Sequence, residues 1–294
     1  MLLHLLVALG AAGLLWGSIA PTVRAAGGTG GQSTLKLTKL GTSRLAGGGL
    51  HVHGSGPLAT ELRPEPELEA QDNDDGGGGR GGDAAQVPSP RFRQLQGALG
   101  TTHFRGLNHF DQRFAGTGQY TNSQFSLEPP DQALCVGNGY LVESVNTVIR
   151  VRSTNGSILT APLPLNDFFN LQPEVIRTAT PVFGEFTSDP KCYFDSDTDR
   201  WFVTMTELDV DPATGAFTGP SNVLLAVSAT GDPTGTFNLF SIDTTNDGTN
   251  GTPKHRDCPC FGDQPLIGAD ANGFYITTNE YPTLVAGFNG AMVY

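Results

Sequence analysis

Three aspartates, Asp131, Asp189 and Asp263, each head a short run of strand-forming residues, at intervals of 58 and 74 residues. If the three runs fold alike, their carboxylates meet on one rim. A ring of carboxylates there could bind a cation, a sugar hydroxyl or an ammonium group. Mutual proximity would also raise at least one pKa, as a general acid for glycosidic cleavage needs. A plainer role suits the same residues, because an aspartate can also cap a turn by accepting backbone N–H bonds. Glu143, Glu207 and Glu280 end the second strand of each run and form a second candidate set. Strand alternation leaves open which face they take.

Asp195-Ser-Asp-Thr-Asp199 has the alternating carboxylates of a calcium loop. It lacks the glycine at position six, where Arg200 stands, and position twelve is Thr206 rather than glutamate. A solvated hairpin turn is the expected structure, so no cofactor or metal is assigned, and calcium is the one cation with partial support. The four cysteines are Cys135, Cys192, Cys258 and Cys260. Cys258-Pro-Cys260 departs from the Cys-x-x-Cys spacing of zinc sites, and no second such pair completes a tetrahedron. A bridge between those two cysteines would be strained. Each is expected to pair with Cys135 or Cys192 and so staple adjacent inner strands, with the connectivity open. His103, His109 and His255 are too scattered for a metal triad, and no Gly-x-Ser-x-Gly elbow occurs. The glycine run at 76–79 lacks the flanking strand and helix of a phosphate loop. Serine nucleophiles and nucleotide binding therefore have no support.

The elements that must position these residues are strands. Beyond residue 103, short runs of Val, Ile, Leu, Phe and Tyr are broken every few residues by Gly, Asn, Asp or Pro, without a sustained helical period. The runs Asp131-Gln-Ala-Leu-Cys-Val, Asp189-Pro-Lys-Cys-Tyr-Phe and Asp263-Gln-Pro-Leu-Ile-Gly each continue through a polar turn into a second strand. In the second unit four strands can be placed: Lys191–Phe194, Trp201–Glu207, Asn222–Thr230 and Thr236–Ile242, with a turn over 231–235 before the last. The expected fold is all-β, a partial β-propeller over 101–294 with about two complete four-stranded blades and the start of a third. Propellers close with about four or more blades, so the domain is expected to be truncated after Tyr294. Tyr193, Trp201, Phe202, Phe274 and Tyr275 are assigned to packing between blades.

Residues 1–25 have the apolar run and small −3 and −1 residues of a signal peptide cut after Ala25. Residues 26–100, rich in Gly and acidic residues, are expected to be a disordered linker. No later segment could span a membrane, which points to a secreted, extracellular or cell-surface protein. An oxidising compartment also accounts for four cysteines. The net charge of −12 and pI near 4.8 exclude nucleic acid as a partner. With 39 Gly and 20 Pro, turn-rich β structure is favoured over helix.

The segments Phe104-Arg-Gly-Leu-Asn-His-Phe-Asp-Gln-Arg113, Phe125-Ser-Leu-Glu-Pro-Pro-Asp-Gln132 and Cys258-Pro-Cys-Phe-Gly-Asp-Gln-Pro-Leu-Ile-Gly-Ala-Asp270 resemble a group of secreted bacterial-type β-propeller proteins. That resemblance covers residue 101 to the end and implies no particular activity. More distantly, Thr230-Gly-Asp-Pro-Thr-Gly-Thr-Phe237 is similar to the Asp-box hairpin of sialidase-like propellers, departing in its spacing and final aromatic. Phe104-Arg105-Gly106-Leu107 does not match the Phe-Arg-Ile-Pro motif of catalytic sialidases, so no catalytic residue carries over. The expected function is a secreted binding or scaffold module for a carbohydrate or an extracellular protein. A sialidase-like glycoside hydrolase using rim carboxylates is the alternative.

Overall fold

The computed structural model describes residues 22–27, 31–45, 104–127 and 131–294, with side chains from residue 34 onward. In chain order the strands and helices are β1 (Thr22–Gly27), β2 (Gly31–Arg44), α1 (His109–Phe114), β3 (Gln132–Gly137), β4 (Tyr140–Val145), β5 (Val148–Ser153), β6 (Leu163–Pro164), α2 (Leu165–Phe168), β7 (Val175–Ile176), β8 (Val182–Phe183), β9 (Phe186–Asp195), β10 (Arg200–Val210), β11 (Phe217–Ser228), β12 (Thr236–Asp243), β13 (Cys260–Asp270), β14 (Gly273–Pro282) and β15 (Gly290–Val293). The fold is mainly β, as the sequence pattern implies.

Three antiparallel meanders follow one another along the chain. The first is β3-β4-β5-β6 and the third is β13-β14-β15. The second is β9-β10-β11-β12, widened to six strands by β2 and β1 beyond β12. None of these sheets closes on itself. The leading strands are neighbours, β3 lying against β9 and β9 against β13. All four strands placed from sequence in the second unit are present; β9 and β10 extend further at both ends, β11 begins earlier but stops at Ser228 rather than Thr230, and β12 runs one residue longer.

Strand alternation gives the middle meander two apolar faces. Trp201, Val203, Met205, Leu224 and Phe237 face the first meander, where Val142, Ile149, Leu165 and Phe168 complete a buried cluster. Val223 and Ile242 face the third, against Ile276, Met292 and Tyr294. Phe202 of β10 stacks on Phe274 of β14, ring centroids 4.3 Å apart, so these two aromatics do pack between sheets. Tyr275 is exposed instead, on the outer face of β14. Gly137 lies where the first sheet closely approaches the Phe194 ring of the second, because a Cβ there would come within 2.1 Å of that ring.

Within the span 26–100 expected as a linker, Gly31–Arg44 form strand β2. In Thr34-Leu-Lys-Leu-Thr38 apolar and polar residues alternate, and β2 pairs antiparallel with β12, Leu37 opposite Ile242 and Thr236 opposite Arg44. Leu35 enters the cluster shared by the second and third meanders, and Leu45 enters that between the first and second. A short period-2 run suffices for a strand when an open sheet edge supplies the partner. Residues 46–100 and the expected signal segment up to residue 21 lie outside the described residues. The expected cut after Ala25 falls in β1. No helix among the described residues is long and apolar enough to cross a membrane.

Candidate functional site

The leading strands of the second and third meanders each carry a β-bulge at a proline. In β9 the register shifts at Asp189-Pro190, and in β13 at Gln264-Pro265. A proline cannot donate to the ladder, and the residue before each one has a positive φ, 57° at Asp189 and 46° at Gln264. Asp189 and Asp263 meet between these two bulges. The Gln264 N–H donates to Asp189 Oδ2 at 3.4 Å, and the Ser188 hydroxyl donates to Oδ1 at 3.4 Å. Asp189 is buried, whereas Asp263 is partly exposed. Burial pushes the Asp189 carboxyl up to about 7, and the charge of Asp263 and a hydrogen bond with it add to the shift. The Gln264 N–H and the Lys191 ammonium oppose it. The Asp189 carboxyl therefore keeps its proton over a pH range where an ordinary carboxyl has lost it.

Asp131 is positioned differently. It begins the first meander with its N–H on Asn146 Oδ1 at 2.5 Å and its carbonyl accepting from the Asn146 N–H at 2.7 Å. The charge that raises Asp189 comes from Asp263. The bulges also show that the aspartates themselves are not equivalent positions. Ser188-Asp189-Pro190 superposes in register logic on Asp263-Gln264-Pro265, one residue out of step with the repeat drawn through the aspartates.

The three glutamates of the second strands are all buried, each held by a different set of partners. Glu143 of β4 is an ion-pair centre: Arg150 Nε lies 2.8 Å and Arg152 Nε 2.6 Å from Oε1. Arg152 also donates to the Arg105 and Gly156 carbonyls and lies over the Phe104 ring, while the Leu107 N–H reaches Glu143 Oε2. Glu143 therefore docks segment 104–107 onto β4 and β5. Glu207 of β10 has no cation in contact among the described residues. It accepts from Asn222 Nδ2 at 2.6 Å, and burial raises its carboxyl well above the usual range, Asp209 and Glu185 adding to the shift by their charge. Glu280 of β14 accepts from Asn246 Nδ2 at 2.5 Å and Asn289 Nδ2 at 3.0 Å, and His255 Nδ1 lies 2.8 Å away. No sequence signal singled out Asn246 or Asn289, which lie outside any motif.

The disulfides correct the expected pairing. Cys135 of β3 bonds to Cys192 of β9, which does staple the leading strands of adjacent sheets, Cα atoms 5.7 Å apart. Cys258 bonds to Cys260 itself, at a Cα separation of 4.4 Å that ordinary disulfides reach. The register explains this: Cys260 pairs with Pro282 in the third sheet, while Cys135 and Cys192 face each other between the first and second. Among the described residues, the group of three metal-capable side chains with ligand atoms within 4.8 Å of one another is Cys258, Cys260 and Glu280. With its sulfurs joined, that group offers no thiolate to a metal.

Asp195 accepts from the Asp197 and Thr198 N–H groups and the Thr198 hydroxyl, which hold its carboxylate below the usual range. Asp199 accepts from Asn138 across to the first meander. The stretch is a hairpin turn between β9 and β10. The hairpin over 231–235 uses Asp232 likewise, Oδ1 accepting from the Thr234 N–H and hydroxyl at 2.8 Å. Its Gly231 carbonyl accepts from the Trp201 indole at 2.9 Å, and Phe237 is fully buried, so this hairpin anchors the core. In comparisons with known proteins, no family model, no curated protein and no solved structure matches the chain.

Proposed function

We propose that the chain is an extracellular, β-propeller-like binding module, with the Asp189–Asp263 pair as the polar centre of a rim that meets a carbohydrate or a protein partner. The observation that carries this reading is the pair itself: two carboxyls from neighbouring sheets brought together by paired bulges, one of them reaching solvent. Irregular backbone of this kind is retained where it aims a side chain. The propeller-like reading rests on three successive antiparallel meanders with adjacent leading strands, the middle one packed on both faces. Two disulfides and a net charge of −12 favour an extracellular setting. Sugar hydroxyls, or an ammonium on a protein partner, would satisfy this carboxyl pair.

One observation favours a hydrolase of glycosidic bonds, namely the Asp189 carboxyl raised to about 7, where a general acid is useful. Glycosidase carboxyls stand roughly 5–5.5 Å or 6.5–9.5 Å apart, with the substrate between them. Here they share a hydrogen bond, and Glu143 and Glu280 are held in structural networks. Binding is therefore the stronger reading.

The test applies the full chain to a glycan array and an extracellular protein array, and separately to chromogenic glycosides. The proposal expects saturable binding on one array, weakened at least tenfold by Asp263→Asn, with no turnover. Turnover abolished by Asp189→Asn would replace binding with hydrolysis.

A further inference from the structure

The Cys258–Cys260 disulfide sits at the head of a polar path to solvent. Its two sulfurs differ in access: Cys258 is half-buried and Cys260 fully buried. The Glu280 carboxylate, 1% exposed as a residue, lies within 4.8 Å of both sulfurs. Asn289 Nδ2 bridges them, 3.7 Å from Cys258 Sγ, 3.4 Å from Cys260 Sγ and 3.0 Å from Glu280 Oε1. On the other side of the carboxylate stands His255, Nδ1 at 2.8–2.9 Å, with a side chain that reaches solvent. A buried sulfur, a buried carboxylate and a solvent-reaching imidazole thus lie in sequence.

Loop closure does not account for this bond. A disulfide stabilises by restricting the unfolded chain, and more so for longer loops. Cys135–Cys192 closes a separation of 57 residues, whereas Cys258–Cys260 closes one of two. The shorter bond adds little by that route, yet it is surrounded by groups able to move a proton and to donate to a thiolate.

We infer that Cys258–Cys260 is a dithiol–disulfide exchange site, with Cys258 as the attacked sulfur and Glu280 with His255 as the proton route to Cys260. The thiolate of an external dithiol attacks Cys258 Sγ, a new S–S bond forms, and the Cys258–Cys260 bond breaks. Cys260 leaves with the bonding electron pair and is protonated through Glu280 and His255. The dithiol's second thiol, deprotonated by solvent, then attacks its own sulfur in the mixed disulfide. This releases Cys258, which is protonated from solvent, together with the oxidised dithiol. Two electrons pass from the dithiol to the protein. In the reverse direction the reduced pair reduces a disulfide, and Glu280 accepts the Cys260 proton.

The test treats the folded, full chain with dithiothreitol in the absence of denaturant and follows each cysteine by differential alkylation and mass spectrometry. Cys258–Cys260 is expected to open at least tenfold faster than Cys135–Cys192. In Cys260→Ser, a monothiol disulfide probe is expected to form a mixed disulfide on Cys258. In Cys258→Ser, Cys260 is expected to react at least tenfold more slowly with the same probe. Glu280→Gln should slow opening of the pair tenfold or more, and Glu280→Asp should restore part of the rate. Opening no faster than that of Cys135–Cys192, or faster probe reaction at Cys260 than at Cys258, overturns the exchange site. A Glu280→Gln variant that keeps a melting curve like the parent and opens at the parent rate overturns the proton route.

Discussion

Asp189 accepts a hydrogen bond from the backbone of Gln264, the neighbour of Asp263, so the two strands that carry the acid pair are tied at the point where both ladders break. Burial at this junction, with the Asp263 charge beside it, sets the acidity. Folding raises the Asp189 pKa from an ordinary 3.8 to about 7, so between those values the folded chain holds a proton that the unfolded chain releases. The contribution is therefore complete below the unfolded pKa and lost as pH rises through the folded one. Thermal melts should show stability falling between about pH 4 and 8, by up to a few kcal/mol. Asp189→Asn should flatten that part of the profile. Glu207, also raised by burial, adds a slope of the same sign, which Glu207→Gln should remove separately.

Removing Glu143 tests the docking of segment 104–107. Arg150 is fully buried, and Glu143→Gln removes the carboxylate charge that Arg150 and Arg152 share. Removing one partner of a buried ion pair costs about 3–5 kcal/mol, which urea denaturation should register as a lower midpoint with a similar slope. A surface-like loss of under about 1 kcal/mol would show that the cluster is solvated.

The Cys135–Cys192 bond closes a long loop across the first two meanders. Cys135→Ser with Cys192→Ser should lower stability by about 4 kcal/mol. Chemical denaturation of the double variant measures it, and the third meander's bond stays intact as an internal control.

Strand β2 makes a prediction that the glycine-rich composition around it would not. Leu35 and Leu45 are both buried. Leu35→Ala and Leu45→Ala should each cost about 2–5 kcal/mol, as core truncations do. If the region were a free linker, both substitutions would leave the melting temperature unchanged.

Much of this architecture is visible in the residues. The strand pattern from Lys191 to Ile242 and the turn around Asp232 follow from short apolar runs and turn chemistry, because those are local signals. Strand β2 was hidden because its alternation is brief and its partner, β12, lies some two hundred residues away in sequence. The acid pair was legible as two residues but not as a register, since a bulge at Pro190 or Pro265 is a property of the paired ladder. The facing of Glu143, Glu207 and Glu280 needed the sheets. Alternation permits either face, and only neighbours such as Arg150, Asn222 and His255 show that each is held inside. The cysteine pairing likewise depends on which sheet each strand joins, which spacing alone does not state.

The most direct measurement is a carboxyl-carbon NMR titration of Asp189 in the parent chain and in Asp263→Asn. Burial of Asp189 beside the Asp263 charge predicts a midpoint near 7 that moves downward, part of the way to the ordinary range, when the neighbouring charge is removed. A midpoint near 4 in both proteins would contradict it, and with it the rim site.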